Sequence, residues 1–385
     1  METTHVFIVD TKTFKSHLEY LFAGTGAKDH RVDFNGRANT VLKYATENSL
    51  VGMISDSQRI RRGDGVVFYL QQDAANGVYE GKFYGIFEAQ EDLSFLDNND
   101  ARQFLSAELN KSLTFRTLLS PRQVYPKGVT EWEALDEIKH IQSPNQMLWS
   151  LIYRKLKGNR GNTMITIYES ERLFKLIRDK NNRQTIPGSD FTFNLSTQEI
   201  EPSQTAHRYT GRTEPIDVLP RLLKKYAEKK AFEAHLQAYL VQNIGRNKNA
   251  SLDHSLLQRL PIEWVGNEVS CGVGMQRIDV MLSLLNDKQR IVTPVELKAV
   301  EASLTNTIQI QRYVDWLEQY YIPNRVSDIQ PALIAKRYQD KASADFREML
   351  AGFGEFNKKN QPCMPLRYIE YEVINNVLHF TPIDY

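Results

Sequence analysis

Cysteine is scarce in this sequence, which contains only Cys271 and Cys363, far apart and outside any C-x-x-C pair. This pattern excludes a disulfide framework and a zinc ribbon. The eight histidines are scattered and show no H-x₃-H spacing with partner cysteines. No apolar run approaches the roughly 18 to 20 residues of a membrane helix, and the first residues lack the basic and apolar segments of a signal peptide. We therefore expect a soluble, reduced, cytoplasmic protein with no membrane partner.

An excess of charge of one sign is also absent. Lys and Arg number 48 and Asp and Glu number 47, which leaves a formal net charge of +1. This balance counts against a histone-like binder of polyanions, but it allows a local basic groove. The length of 385 residues, with 41% hydrophobic and 25% charged residues, is typical of a globular protein of two or three domains.

The first part of the sequence predicts a mixed structure rich in strands. Residues 6–9 predict a strand, and residues 13–22 carry apolar side chains at helical spacing. Residues 60–70 predict a turn and then a strand, and residues 82–89 predict the strand that pairs with it in an antiparallel hairpin. Both strands are apolar nearly throughout, which is typical of a small closed barrel or of a sheet covered on both faces.

The last part of the sequence has a different pattern of predicted helices and strands. Residues 215–244 predict one long helix, with lysines 224, 225, 229 and 230 on its outer side. Strands are predicted at 262–269, 276–285, 290–297 and 332–335, a helix at 307–321 and a hairpin at 368–380. This order favours an α/β/α sandwich. Residues 185–215 are rich in Thr, Ser, Pro and Gln, and they predict the connection between the two parts.

Three charged residues stand out within the apolar strands: Asp279, Glu296 and Lys298. Glu296 and Lys298 project from one face of a strand, and antiparallel pairing brings Asp279 beside Glu296. Two carboxylates can hold Mg²⁺, with the Leu297 carbonyl as a further ligand, while Lys298 orients a water for hydrolysis of a phosphodiester. The alternative is an exposed ion pair without catalytic use, but charges among apolar residues are costly unless they have a task.

The neighbouring helices carry further candidates, Glu233 before the strands and Gln309 with Tyr313 after them. Together these ordered motifs resemble the PD-(D/E)xK nuclease superfamily, and most closely its NucS (EndoMS) type, over roughly the last 170 residues. The resemblance implies that Asp279 and Glu296 are metal ligands and that Lys298 positions the water. It also implies that Gln309 and Glu233 support the active site. Glu233 is flanked by the apolar Phe232 and Leu236, so we expect it to face inward.

In the first part, the turn at Gly63 and Asp64 with its following strands resembles the PUA-like superfamily, in particular EVE-type domains. The resemblance implies a small β-barrel that holds an extruded modified base in an aromatic-lined pocket. We expect the pocket among the following residues: Phe34, Asn35, Tyr44, Trp132 and Trp149. The alternative for each aromatic residue is that it fills the barrel core, whereas the amide of Asn35 can read a base edge.

A basic, glycine-punctuated loop follows at residues 155–162. Its candidates for phosphate contact are Arg154, Lys155, Lys157, Arg160 and Asn162. Glycine lets backbone N–H groups approach an anion, so we expect this loop to contact DNA. The alternative is a solvated turn between helices.

These observations lead to one hypothesis with several alternatives. Residues 1–190 are expected to form an α+β, PUA/EVE-like domain that reads DNA, residues 191–214 a linker, and residues 215–385 an α/β/α PD-(D/E)xK nuclease. The expected protein is a Mg²⁺-dependent endonuclease, with Mn²⁺ as a substitute, that cuts double-stranded DNA carrying a modified base. Cutting of both strands suggests a homodimer, and we expect a basic cleft between the domains.

The alternatives are different uses of the same parts. NucS relatives act at mismatches and branched DNA, so a repair endonuclease is one alternative. A sequence-specific restriction enzyme for unmodified DNA is another, and a non-catalytic DNA-binding protein is the third.

Overall fold

A computed structural model describes residues 3–27, 31–33, 44–149, 161–272, 276–286, 289–322 and 329–385. The chain divides into two compact units. The first comprises residues 1–142 and 146–217, and the second comprises residues 218–385 with 143–145. No helix in the described ranges is long and apolar enough to cross a membrane.

The first unit is a mixed α and β structure. Its described helices are α1 Phe14–Glu19, α2 Tyr44–Gln58, α3 Ser106–Leu109, α4 Glu131–Asp136 and α5 Ile167–Lys180. Its strands are β1 Thr4–Val9, β2 Phe22–Thr25, β3 Gly65–Leu70, β4 Lys82–Ala89, β5 Phe95–Leu96, β6 Phe115–Pro121, β7 Val129–Thr130, β8 Asn162–Ile165, β9 Phe191–Asn194 and β10 Glu199–Pro202. The helix expected at 13–22 therefore ends early, because Phe22 already belongs to β2.

The main sheet of this unit follows the order β2-β6-β4-β3-β1-β8, with β5 beside β6 and β7 beside β4. The predicted hairpin of β3 and β4 is confirmed as an antiparallel pair. The path is open between β2 and β8 in the described residues, yet a Cβ placed on Gly161 would lie 2.8 Å from Thr25 Cγ2. The two ends of the sheet thus approach each other, and the sheet forms a half-barrel.

Alternate residues of β1 and β3 belong to two separate core clusters. Phe7 and Phe68 lie in one cluster, whereas Val6 and Val67 lie in the other. Both faces of these strands are therefore covered, which explains why their sequences are apolar nearly throughout. This agrees with one of the two arrangements that the sequence left open, a sheet covered on both faces.

Residues 191–214, expected to form a linker, belong instead to the first unit. Strands β9 and β10 form an antiparallel hairpin. Phe191, Phe193 and Ile200 of this hairpin are buried in the core cluster, and Phe193 lies 4.7 Å from Phe14 between ring centroids. The Thr- and Ser-rich composition of the segment made these three buried apolar residues hard to recognise in the sequence. The boundary between the units falls after Asp217.

The second unit is built on a six-stranded sheet in the order β11-β12-β13-β14-β15-β16. Its strands are β11 Ile262–Ser270, β12 Arg277–Asn286, β13 Gln289–Glu301, β14 Ala332–Lys336, β15 Arg367–Ile374 and β16 Val377–Ile383. Its described helices are α6 Leu219–Ala227, α7 Glu233–Asn243, α8 Ala250–Leu257, α9 Asn306–Trp316 and α10 Ala344–Lys359.

Strands β13, β14 and β15 run parallel, whereas the other neighbouring pairs are antiparallel. Residues 291–297 of β13 are buried without interruption. Since neighbouring residues of a strand point to opposite faces, both faces of this strand are covered.

The long helix expected at 215–244 is in fact two helices, α6 and α7. Lys229 adopts a left-handed conformation with φ of 53°, and such a residue ends a helix. Lys225, expected on the outer side, is only 3% exposed. It lies three residues after the buried Leu222 and so shares its face of α6. Sequence reasoning also missed α10, whose N-cap Ser343 accepts from the N–H of Phe346.

We predict that Phe193→Ala lowers the free energy of unfolding of the first unit by about 3–5 kcal/mol, because it leaves a cavity in the core. Thr197→Ala, in the exposed turn of the same hairpin, should change it by less than about 0.5 kcal/mol. Urea unfolding followed by tryptophan fluorescence measures both. Equal midpoints for the two variants would restore the linker interpretation.

Candidate active site

The pairing of β12 with β13 brings two carboxylates together. Val280 pairs with Val295 in an antiparallel register, so Asp279 and Glu296 are the next neighbours across the pair. β13 pairs with β14 through Glu296 and Leu297, and the register shifts after Leu297. The site therefore lies just past the last paired residues of β12 and β13, close to the point where the register of β13 on β14 shifts.

Glu296 is fully buried, with 0% exposure. Its Oε1 lies 2.5 Å from Lys298 Nζ, and its Oε2 accepts a hydrogen bond of 2.6 Å from the Tyr313 hydroxyl. Burial raises the pKa of Glu296, and the bonds from Lys298 and Tyr313 offset that rise only in part. For Lys298, burial lowers the pKa, but the bond and charge of Glu296 outweigh it, so the net pKa is raised. Lys298 therefore stays a cation.

Asp279 is held by the backbone of the neighbouring strand, because its Oδ2 accepts a hydrogen bond of 2.8 Å from the N–H of Leu297. Its own carbonyl accepts one of 2.8 Å from Gln237 of α7. Burial raises the pKa of Asp279 well above its usual value, and the nearby charge of Glu296 raises it further. A bound cation would relieve both effects.

Tyr313 is the residue that sequence reasoning paired with Gln309 but gave no role. Gln309 Nε2 donates to the Tyr313 hydroxyl at 2.8 Å, and that hydroxyl also lies 2.9 Å from the carbonyl oxygen of Arg277. Burial and the charges of Glu296 and Asp279 raise the pKa of Tyr313, so it remains a donor. Gln309 thus reaches the carboxylates through Tyr313, and their i,i+4 spacing on α9 was the signal for this contact.

Glu233 is the first residue of α7, and its side chain is exposed rather than turned inward. Its Oε1 still accepts a hydrogen bond of 3.3 Å from the N–H of Ala299, one residue beyond Lys298. An acidic side chain in the first turn of a helix is favoured by the helix dipole. Glu233 therefore lies at the rim of the site, in contact with the strand that carries Glu296 and Lys298.

Cys271 is buried close to the carboxylates. Burial, and then the charges of Glu296 and Asp279, raise the pKa of its thiol to about 12. A thiol with this pKa is not a thiolate near neutral pH, and the thiolate is the nucleophilic form. The thiol of Cys271 is therefore protonated near neutral pH.

The donor set fits a hard divalent cation. Asp279 and Glu296 supply carboxylate oxygens, and the carbonyl of Leu297 is a further hard donor of the same strand. No group of three or more His, Cys, Asp or Glu able to hold a metal occurs in the described ranges. Mg²⁺ keeps several waters and is commonly held by one or two carboxylates, so two suffice.

The residues expected to contact DNA or a base lie in the first unit. Phe34, Asn35, Arg154, Lys155, Lys157 and Arg160 lie outside the described residues. Tyr44 is the first residue of α2, Trp132 in α4 is 63% exposed, and Trp149 is half-buried.

Asn162, expected to contact a phosphate, is only 3% exposed. Its Nδ2 donates to the carbonyl of Asp56 at 3.1 Å, and its Oδ1 accepts from Arg59 at 3.3 Å. The side chain of Asn162 therefore lies in the interior of the unit and does not face solvent.

The raised pKa of Asp279 predicts how stability depends on pH in the metal-free protein. An acid whose pKa rises on folding adds stability below its unfolded pKa of about 4, and that stability is lost as pH rises through the folded pKa. We predict that Asp279→Asn, in EDTA, stabilises the protein at pH 8 by about 1.4 kcal/mol per unit of that rise. The gain should shrink at pH 5, as measured by urea unfolding.

Asp384→Asn, at an exposed carboxylate, is the control and should behave like the wild type at both pH values. A loss of stability in Asp279→Asn at pH 8 would contradict the electrostatic interpretation of this site.

Comparisons with known proteins find little. No protein-family model matches the sequence, and no curated protein matches it. Among solved structures, the restriction endonuclease FokI bound to DNA is similar with a TM-score of 0.20 and 9% identity, over 61% of this chain. The match spans 41% of the FokI chain, less than half of its length. A similarity this low carries no argument, so the geometry of the site alone supports the function proposed below.

Proposed function

We propose that this protein is a metal-dependent DNA endonuclease whose active site is formed by Asp279, Glu296 and Lys298. The observation that carries the proposal is the placement of Glu296, which is fully buried, beside the half-buried Asp279 and Lys298 on adjacent strands. Buried charges are costly, and perturbed pKa values of this kind cluster at functional sites. Phosphodiester hydrolysis is the reaction that this set of groups suits best.

Each group has a separate task in the proposed reaction. The oxygen of a water attacks phosphorus and gives up a proton, and the bond from phosphorus to the 3′ oxygen breaks. The leaving 3′ oxygen takes up a proton, so that the products are a 5′-phosphate and a 3′-hydroxyl. Lys298, held by Glu296, orients the water and stabilises the charge that develops on the phosphate. Tyr313 fixes one oxygen of Glu296 and leaves the carboxylate with a single orientation.

Asp279 and Glu296, with the carbonyl of Leu297, would hold the metal. When bound, Mg²⁺ supplies neutralisation of phosphate charge and a lower pKa for water. Mn²⁺, which prefers the same oxygen donors, would substitute for it.

We further propose that the first unit recognises the DNA and restricts cutting to duplexes carrying a modified base, as a modification-dependent restriction enzyme would. A cavity of about 200 Å³ in this unit supports the proposal. Its lining includes the carboxylates of Asp33 and Glu214, and groups of this kind accept from an amino group on a base edge. Phe34 and Asn35 follow directly after Asp33 in the sequence. Cutting of both strands would need two copies of the site, which favours a homodimer.

We predict that Asp279→Asn and Lys298→Gln each lower the rate of DNA cutting by at least about 100-fold, because each removes a charge from the reacting centre. Supercoiled plasmid nicking with 5 to 10 mM Mg²⁺, and with EDTA as a blank, measures the rate. Circular dichroism confirms that each variant is folded.

The matched control for the lysine is Lys358→Gln, since Lys358 is 72% exposed on α10 and pairs with Glu355. It should cut at the wild-type rate. Unchanged cutting in Asp279→Asn and Lys298→Gln would place the activity elsewhere, and no cutting by the wild type on any DNA would favour a non-catalytic binding protein.

A panel of substrates tests the role of the first unit. We predict that the wild type cuts duplexes with methylated, hydroxymethylated or glucosylated cytosine at least about tenfold faster than the same duplex with plain cytosine. Such a ratio corresponds to about 1.4 kcal/mol of discrimination. Initial rates on labelled duplexes of one sequence give the comparison.

Two results would replace this proposal. Faster cutting of plain DNA would favour a sequence-specific enzyme for unmodified DNA. Selective cutting of mismatched or branched duplexes included in the same panel would favour the repair alternative.

A further inference from the structure

A lysine with no ion pair among the described residues lies at the carboxyl end of β14. Lys336 is the last residue of β14. The register places it between Glu301 of β13 and Tyr371 of β15. The Tyr371 hydroxyl in turn donates to the carbonyl oxygen of Lys298 at 3.1 Å. Lys336 therefore lies three residues beyond Leu333, the neighbour of Glu296 on β14, and Tyr371 links it to the strand that carries Lys298.

An aromatic ring holds the ammonium group of this lysine. Lys336 Nζ lies 4.9 Å from the centroid of the Tyr226 ring in α6. The Tyr226 ring packs on Phe232 at 5.9 Å, and Phe232 packs on Tyr371 at 6.3 Å. Phe232 directly precedes Glu233, so Lys336 lies on the side of the sheet from which Glu233 reaches the site.

Lys336 differs from the cations that follow it in the chain, because those cations form ion pairs. Arg337 pairs with Glu372 at 2.7 Å, and Lys341 pairs with Glu370 at 2.7 Å. For Lys336, by contrast, the described part of the chain offers no carboxylate within ion-pair distance. A ring face attracts a cation but does not neutralise it, so the positive charge stays available to an anion.

We propose that Lys336, held over the Tyr226 ring, binds a backbone phosphate of the DNA strand that flanks the phosphate being cut. The inference rests on the proposed nuclease function and names one contact that positions its substrate. The carboxylates of Asp279, Glu296 and Glu233 repel a polyanion. A neighbouring cation offsets this repulsion where the strand enters the site. An ammonium group binds phosphate as a point charge, without reading sequence.

The test measures how DNA binding depends on salt. Lys336→Gln is made in the Asp279→Asn background, and binding of a labelled duplex is followed from 50 to 200 mM KCl. The loss of one phosphate contact should reduce the slope of log K against log salt by about 0.9. It should also weaken binding by roughly tenfold at 0.1 M salt, equally for plain and modified duplexes. In the otherwise wild-type chain, Lys336→Gln should raise KM and leave kcat unchanged.

Variants of Tyr226 separate positioning from packing. Tyr226→Phe keeps the ring and should retain the wild-type slope, whereas Tyr226→Leu removes the ring and should weaken binding without lowering kcat. Lys358→Gln on α10 is the charge control and should leave the slope unchanged.

The outcomes distinguish this inference from the function on which it rests. If Lys336→Gln leaves the salt slope at its wild-type value while the otherwise wild-type chain still cuts DNA, the phosphate contact alone is overturned. The lysine would then have a structural role. A wild-type protein that neither binds nor cuts duplex DNA would overturn both.

Discussion

The close approach of two carboxylates, one of them fully buried, is the constraint on which the second unit depends. Asp279 and Glu296 lie on neighbouring strands, largely shielded from solvent, and the charge of Glu296 raises the pKa of Asp279. Two ionised groups in such a place are unfavourable unless other groups compensate them. The compensation comes from Lys298, from the Tyr313 hydroxyl and from the N–H of Leu297. A divalent cation would complete it.

Three elements of the fold meet at this pair of charges. The register of β12 on β13 sets the two carboxylates beside each other, helix α9 brings the Tyr313 hydroxyl to Glu296, and helix α7 places Glu233 on the backbone of Ala299. Each contact joins a different part of the chain to β13. The arrangement therefore exists only when the whole unit is folded, and it holds the acidic groups in one geometry before any substrate binds.

The first unit places its polar groups differently. Arg59, Asp56 and Asn162 form a buried network of hydrogen bonds behind the half-barrel. In the sequence, Asn162 is the last residue of a basic loop, and it is therefore expected at the surface. Its amide satisfies the buried Arg59 instead, because a buried guanidinium needs acceptors on several sides. Residues 191–202 show that tertiary contacts also decide the place of apolar groups. Three buried apolar side chains in an otherwise polar segment are enough to fix a hairpin to the core.

The sequence by itself determined the order of strands in the second unit, the hairpin of the first, and the choice of Asp279, Glu296 and Lys298 as candidates. These features follow from local periodicity and from charged residues within apolar runs. Both can be recognised in short segments of the sequence. Only the tertiary structure decided that 215–244 is two helices, that 191–214 is not a linker, and that Gln309 contacts Tyr313, which in turn bonds to Glu296. It also set Lys336 over Tyr226, more than a hundred residues away. Such contacts join residues distant in the chain, and no local pattern encodes which of them will meet.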